Sequence, residues 1–328
     1  MNAYLELSRQ ERRLVCDQAR IALGLAATSI EKDWWVCWTL RELFALPEWG
    51  PHLSFKGGTS LSKGWQLIER FSEDIDVVID REFLGFGGET LGTKRLGKLR
   101  DACAARVVGE LLPALHDRIA SGLSRREQWS LTAADDDPQT LLFSYPTEYG
   151  DAAGYVKPVV KIELGARSDT DPALTPGIRP LLAQAFPALG EPAFSVRTVA
   201  PRRTFWEKAM LLHEETYRPA GRAYKTRLSR HYYDLWCLIT KGVAAEAMAD
   251  TGLFERVAAH RRAFFRQSWM DYATLSKGSL RLLPLTEQKS VWRQDYAAMQ
   301  GEMFYGDPPP FDQILQVMGA FEAEFNRA

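Results

Sequence analysis

The segment FSEDIDVVID (71–80) sets Asp74 and Asp76 two residues apart in an apolar, β-branched run. On a strand the side chains alternate, so both carboxylates face one side while Ile75 and Val77 face the other. Two such carboxylates resist joint ionisation unless a cation sits between them. Mg²⁺, or Mn²⁺ in its place, takes hard oxygen ligands and leaves room for substrate phosphates, which suits this pair. A third acid is available in VVKIELGA (159–166), where Lys161 and Glu163 share a face and Ile162 opposes them. A neighbouring strand would bring Glu163 beside the aspartates, with Asp169, beyond that strand, as the fallback. The competing reading is a solvated strand face carrying acids for no chemical reason.

Upstream, FKGGTSLSK (55–63) follows an apolar strand with Gly57-Gly58 and the hydroxyl pair Thr59-Ser60. Paired glycines let the backbone turn tightly and approach a ligand. Thr59 and Ser60 are expected to cap a helix running from about Ser60 to Glu69. The amides and dipole of such a helix start would favour phosphate. GxxxxGK[ST] is absent, so this is not a P-loop. A phosphate turn one helix before an acidic pair describes a triphosphate-plus-metal site.

The elements that must position these residues follow from patterning. Residues 8–46 read as helical to a stop at Pro47. QWSLTA (128–133) and QTLLFSY (139–145) read as strands around the acidic turn ADDDPQ, and YVKPVVKIELGA (155–166) as a third, with Pro158 near its start. Residues 94–121 read as an amphipathic helix, 171–192 as a proline-rich connector, FSVRTV (194–199) as a short strand, and the chain beyond Pro201 as helical. The expected fold is α+β: a helical N-terminal flank (1–49), a mixed-sheet core (50–200) and a helical C-terminal domain (201–328).

Composition bounds the function. The chain has 328 residues, 46% hydrophobic and 25% charged, with a formal net charge of −1. Such a balance exerts no global pull on nucleic acid or membrane, so a polyanion partner needs a local patch. No apolar run approaches the roughly 20 residues of a membrane span, and no signal-peptide pattern opens the chain. The four cysteines lack metal-ligand spacing and are expected as reduced thiols in a cytoplasmic protein. Residues 197–231 hold nine lysines and arginines against three glutamates, a net +6 and the expected polyanion-binding stretch. Arg261, Arg262 and Arg266 would extend it, although solvated helix faces explain them better.

KGGTSLSK followed by RFSEDIDV resembles the nucleotidyltransferase superfamily, with its polymerase-β-like fold. More narrowly, Arg70-x-Ser72-x-Asp74-Ile75-Asp76 is similar to the AbiEii/AbiGii-type toxins of type IV toxin–antitoxin and phage-abortive systems. FWEKAMLLHEE (205–215) and RHYYDLWCL (230–238) resemble that family's later motifs, and QDYAAMQGEMFYG (294–306) its C-terminal part. The resemblance implies transfer of NMP from an NTP to RNA, with tRNA the expected acceptor and an AbiEi-like antitoxin encoded nearby. It implies catalytic roles for Asp74, Asp76, Glu163, Lys208 and Asp234, the first two and Glu163 as metal ligands. Gly57, Gly58, Thr59, Ser60, Lys63, Arg70, Ser72 and Lys208 would bind nucleotide, and Arg202, Arg203, Arg227 and Arg230 are candidate RNA contacts. Read from the residues alone, Lys208 is equally a lysine snorkelling over an apolar helix face, and Arg230–Asp234 equally a surface i,i+4 pair. Two rival functions stand beside RNA transfer: the same chemistry on a protein or small molecule, and a non-catalytic nucleotide-binding module.

Overall fold

A computed structural model of the protein describes residues 1–88, 92–124, 127–150, 157–304 and 307–327. Two ends of expected segments, Tyr155-Val156 and Tyr305-Gly306, lie outside the described residues. The chain forms two compact units, residues 1–66 with 71–199, and residues 67–70 with 200–328.

The first unit is built on a mixed sheet. Its elements in chain order are α1 (Asn2–Glu6), α2 (Arg9–Leu23), α3 (Ala27–Phe44), β1 (Leu53–Lys56), α4 (Gly57–Lys63), β2 (Ile75–Ile79), α5 (Thr93–Arg106) and α6 (Leu112–Gly122). They continue with β3 (Ser130–Ala133), β4 (Thr140–Ser144), β5 (Val159–Gly165), β6 (Ala173–Leu174), β7 (Gly177–Ile178), α7 (Leu182–Ala185), β8 (Phe194–Ser195) and β9 (Thr198–Val199). The sheet order is β3-β4-β5-β2-β1-β9-β6, with β7 and β8 paired separately. The Asp-Pro turn closes β3 and β4 as an antiparallel hairpin. Strand β2 runs antiparallel to β1 but parallel to β5, a pairing that requires the long crossover through α5 and α6.

Helix α3 packs against β5, α2, α6 and α7. It is apolar around most of its circumference, which suits a helix enclosed on all sides. Trp34, Trp35 and Trp38 are fully buried, and Trp35 stacks on Tyr145 with ring centroids 5.4 Å apart. The same helix buries Glu31, Lys32 and Asp33, and buried charges need partners. Lys32 pairs with Glu73 at 2.5 Å, Asp33 with Lys63, and Glu31 accepts from the Glu148 amide at 2.7 Å. Two of these pairs clamp the end of α4 and the residue before Asp74.

The second unit contains α8 (Pro201–Thr216), α9 (Arg230–Thr240), α10 (Val243–Ala249), α11 (Leu253–Phe264), α12 (Lys289–Met303) and α13 (Phe311–Arg327). Its core forms around Trp206, which meets Phe254 and Phe325 at centroid distances of 5.0 Å. Leu67–Arg70 belong to this unit, and Arg70 forms an isolated bridge to Phe304. Among the described residues no helix is long and apolar enough to cross a membrane. All four cysteines are buried and free.

Candidate active site

The first unit gathers the acidic residues. In β2 the apolar residues Ile75, Val77 and Ile79 are buried, which turns Asp76 to the opposite face. Across the sheet, Asp76 is in register with Glu163 on β5 and with Lys56 on β1. Residues directly opposite share a face, so this row reads Lys56, Asp76, Glu163. Burial pushes the Asp76 carboxyl up to about 7; Lys56 opposes the rise, while Glu163, Asp74 and a side-chain hydrogen bond to Glu163 add to it. The charged form of Asp76 is thus disfavoured first by burial, with the neighbouring acids adding to it.

The glycine turn explains itself against this aspartate. Gly57 has φ +77, and a Cβ there would run into the Asp76 carboxylate. The position needs glycine for both the backbone conformation and the close approach. Helix α4 begins at Gly57 and ends at Lys63, with Lys56 at its N-cap and no side-chain cap. The expected helix from Ser60 to Glu69, capped by Thr59 and Ser60, is corrected on both bounds. The hydroxyls are engaged elsewhere. Thr59 Oγ1 donates to the Asp74 carbonyl at 2.5 Å and lies 2.8 Å from Ser72 Oγ. A hydroxyl has one proton to give, so Ser72 donates to Thr59. Ser60 Oγ donates to the Gly57 carbonyl at 2.8 Å. Thr59 and Ser72 thus hold the backbone of Asp74, and Ser60 fixes the turn.

Lys63, expected to touch nucleotide, is buried and ion-paired with Asp33. Its charge is spent inside the unit. Glu163 pairs with Lys161. Among the described residues no three His, Cys, Asp or Glu side chains form a ready-made metal site. Asp74 and Asp76 make a two-carboxylate donor set, and the charged form of Asp76 is disfavoured. That donor set fits Mg²⁺, which is commonly held by one or two carboxylates plus substrate phosphates and water.

The second unit gathers the cations. Asp234 is fully buried and receives Arg70 bidentately, Nε to Oδ1 at 2.6 Å and Nη2 to Oδ2 at 2.8 Å. Lys208 Nζ reaches Asp234 Oδ2 at 2.9 Å and His231 Nδ1 at 3.3 Å. Burial alone would raise the Asp234 carboxyl, but Arg70 and Lys208 outweigh it and hold it well below the ordinary carboxylate range. Burial lowers Lys208 more than Asp234 raises it. Burial, Lys208 and Arg230 push His231 far down, so its ring is neutral and Nδ1 accepts from Lys208. The surface i,i+4 reading of Arg230–Asp234 is corrected: the partner of Asp234 is Arg70, 164 residues away in sequence. Arg70, expected at the nucleotide, is 2% exposed and serves Asp234 instead.

Much of the expected polyanion patch is already ion-paired. Arg197, Arg202, Arg203, Lys208 and Arg218 are ion-paired with Asp171, Asp250, Glu207, Asp234 and Glu215. Arg203 is fully buried, which removes it from the candidate RNA contacts. Arg261 is paired bidentately with Glu214. Arg227 is exposed and Arg230 half-buried. Sequence reasoning missed Lys56, Lys32 and Asp33 and gave His231 no weight. A fully enclosed helix carrying adjacent Lys32 and Asp33 is a signal that something charged lies against it.

The family described as nucleotidyl transferase AbiEii toxin, type IV toxin–antitoxin system, matches residues 38–317. No curated protein matches the chain. Among solved structures the chain is similar to MenT4, a nucleotidyltransferase toxin from Mycobacterium tuberculosis, at 15% identity and a TM-score of 0.36. That similarity covers 89% of this chain and 99% of the other.

Proposed function

The chain belongs to the AbiEii family of nucleotidyltransferase toxins of type IV toxin–antitoxin systems, and from that premise we propose that it transfers NMP from an NTP to an RNA acceptor, tRNA foremost, with a divalent cation held at Asp74 and Asp76. The observation that carries this reading is the row Lys56, Asp76, Glu163 beside a Gly57 that must be glycine. A row of carboxylates, next to a backbone that tolerates close approach, suits a Mg·NTP complex. When bound, the ion neutralises triphosphate charge and polarises the α-phosphoryl group.

The chain's own residues do the rest. The Gly57-Gly58 turn takes the β- and γ-phosphates. The acceptor hydroxyl oxygen forms a new P–O bond to the α-phosphorus while the α–β bridging bond breaks, and pyrophosphate leaves with that electron pair. The hydroxyl proton passes to the Glu163 carboxylate as Lys161 gives it up. In the second unit the Arg70–Lys208–Asp234 cluster has one more positive than negative charge, and Lys208 is its compact point cation. The type IV family implies an antitoxin partner, and an AbiEi-like protein encoded nearby fills that role.

The test is transfer of label from α-phosphate-labelled NTPs to total bacterial RNA with Mg²⁺. Wild type should label a ribonuclease-sensitive, tRNA-sized band and Asp74→Ala should not. Label resistant to ribonuclease but removed by protease would move the acceptor from RNA to protein. Mg·NTP binding without any transfer would favour a binding module.

A further inference from the structure

A cavity of about 320 Å³ opens in the first unit on the sheet face that carries Asp76, within the size range of small-molecule sites. Ser54 and Val78 line it, and they are in register with each other one pleat beyond the Lys56–Asp76 pair. Residues i and i+2 share a face and lie about 6.6–6.8 Å apart along a strand. Moving away from Gly57, the sheet therefore presents Lys56 with Asp76, then Ser54 with Val78, then His52 with Asp80, whose amide donates to the His52 carbonyl at 2.9 Å. The far wall is the segment leaving β5, and Lys56 Nζ reaches Ser168 Oγ there at 2.8 Å. Glycine turn, acidic row and cavity thus lie in sequence along one face.

The lining chemistry disfavours a phosphate. Four carboxylates (Asp80, Glu82, Asp169, Asp171) face two guanidiniums (Arg81, Arg197). Arg197 is fixed in the wall, with Nε on Ser54 Oγ at 3.0 Å and Nη2 on Asp171 Oδ1 at 3.0 Å. Carboxylates accept from hydroxyl and amino groups, and half-buried Phe86 offers an aromatic surface on which a base can stack. In phosphoryl transfer the attacking and leaving oxygens lie roughly in line through the phosphorus. With the leaving phosphates at Gly57 and the α-phosphorus at the acidic row, attack comes from the side where the cavity lies. We infer that this cavity seats the terminal nucleoside of the acceptor, its uncharged sugar and base, and points its hydroxyl toward Asp76. The inference rests on the transfer reading given above for its direction of attack.

Steady-state transfer by the full chain tests it with two variants. Phe86→Ala removes the stacking surface, and Gly87→Trp fills the mouth at an exposed position whose Cβ meets the flexible Glu82 side chain at 3.3 Å. The acceptor KM should rise roughly tenfold or more in each, while the NTP KM stays within about twofold. An unchanged acceptor KM in both variants overturns the assignment, and a raised NTP KM gives the cavity to the nucleotide instead. A second readout does not need turnover: adenosine, guanosine, cytidine and uridine are titrated separately by NMR. At least one should bind wild type and lose binding in Gly87→Trp, and binding by none, or binding insensitive to that variant, overturns the assignment. If wild type labels protein or a small molecule and not RNA, the RNA reading fails while the nucleoside titrations still decide the cavity.

Discussion

The two units solve the problem of buried charge in opposite ways. In the first, Asp76 sits among Asp74 and Glu163 with Lys56 as its counterweight, and its carboxyl is driven up to about 7. In the second, Asp234 takes two cations at once and is held far down. One cluster holds a carboxyl whose charged form is disfavoured. The other is neutralised from within and has a cation to spare. A buried carboxylate is therefore not a functional sign by itself; the sign is whether its neighbours already satisfy it.

Substitutions that remove one charge at each cluster should split activity from stability. Asp76→Asn should reduce transfer by about 10³-fold or more, and a thermal melt should show the variant intact. Above pH 7 its Tm should exceed wild type by on the order of 2–4 °C, because the repulsion is gone. Asp234→Asn should do the reverse to the fold. It leaves Arg70 and Lys208 buried without their counter-ion, at a cost of about 3–5 kcal/mol by denaturant titration. Equal stability losses at both positions would erase the contrast between the units.

Gly57→Ala should come next in size, lowering transfer roughly 10²-fold. A side chain at φ +77 is strained and displaces the Asp76 carboxylate, so Mg²⁺ affinity should fall in parallel. The pH effect is smallest. With its folded pKa raised, Asp76 binds more protons in the native than in the unfolded chain between about pH 4 and 7. Stability from this group is therefore lost as pH rises through that window. The gap between Asp76→Asn and wild type should widen from pH 4 to 7 and stay level above, which melts across that range would show. Glu31, also raised to about 7, adds a slope common to both proteins, so the difference is the quantity to read.

Local pattern made half of this legible. Alternation put Asp76 and Glu163 on strand faces, although the expected strand position of Asp74 is corrected to one residue before β2, and the Asp-Pro turn announced the β3–β4 hairpin, because both are properties of a few consecutive residues. Partner choice was not legible. Lys56 opposite Asp76 follows from strand register, Lys63 with Asp33 from helix packing, and Arg70 with Asp234 from a pairing across 164 residues. The hydroxyls of Thr59 and Ser60 misled for a related reason. Ser and Thr before a helix suggest caps, yet a left-handed Gly57 starts the helix three residues early and turns both hydroxyls onto nearby carbonyls. In the basic stretch, a sequence count could not see that Arg203 is buried or which arginines are already paired.

The most direct measurement is calorimetric titration of Mg²⁺ into the protein with a non-hydrolysable NTP analogue, near pH 7, in buffers of different ionisation enthalpy. Saturable binding should release a substantial fraction of a proton, with Asp76 as its source, and should be lost when Asp74 and Asp76 are both replaced by Asn. Binding that survives the double replacement, or no divalent-cation binding to wild type at all, would contradict the assignment of the acidic row as the metal and transfer centre.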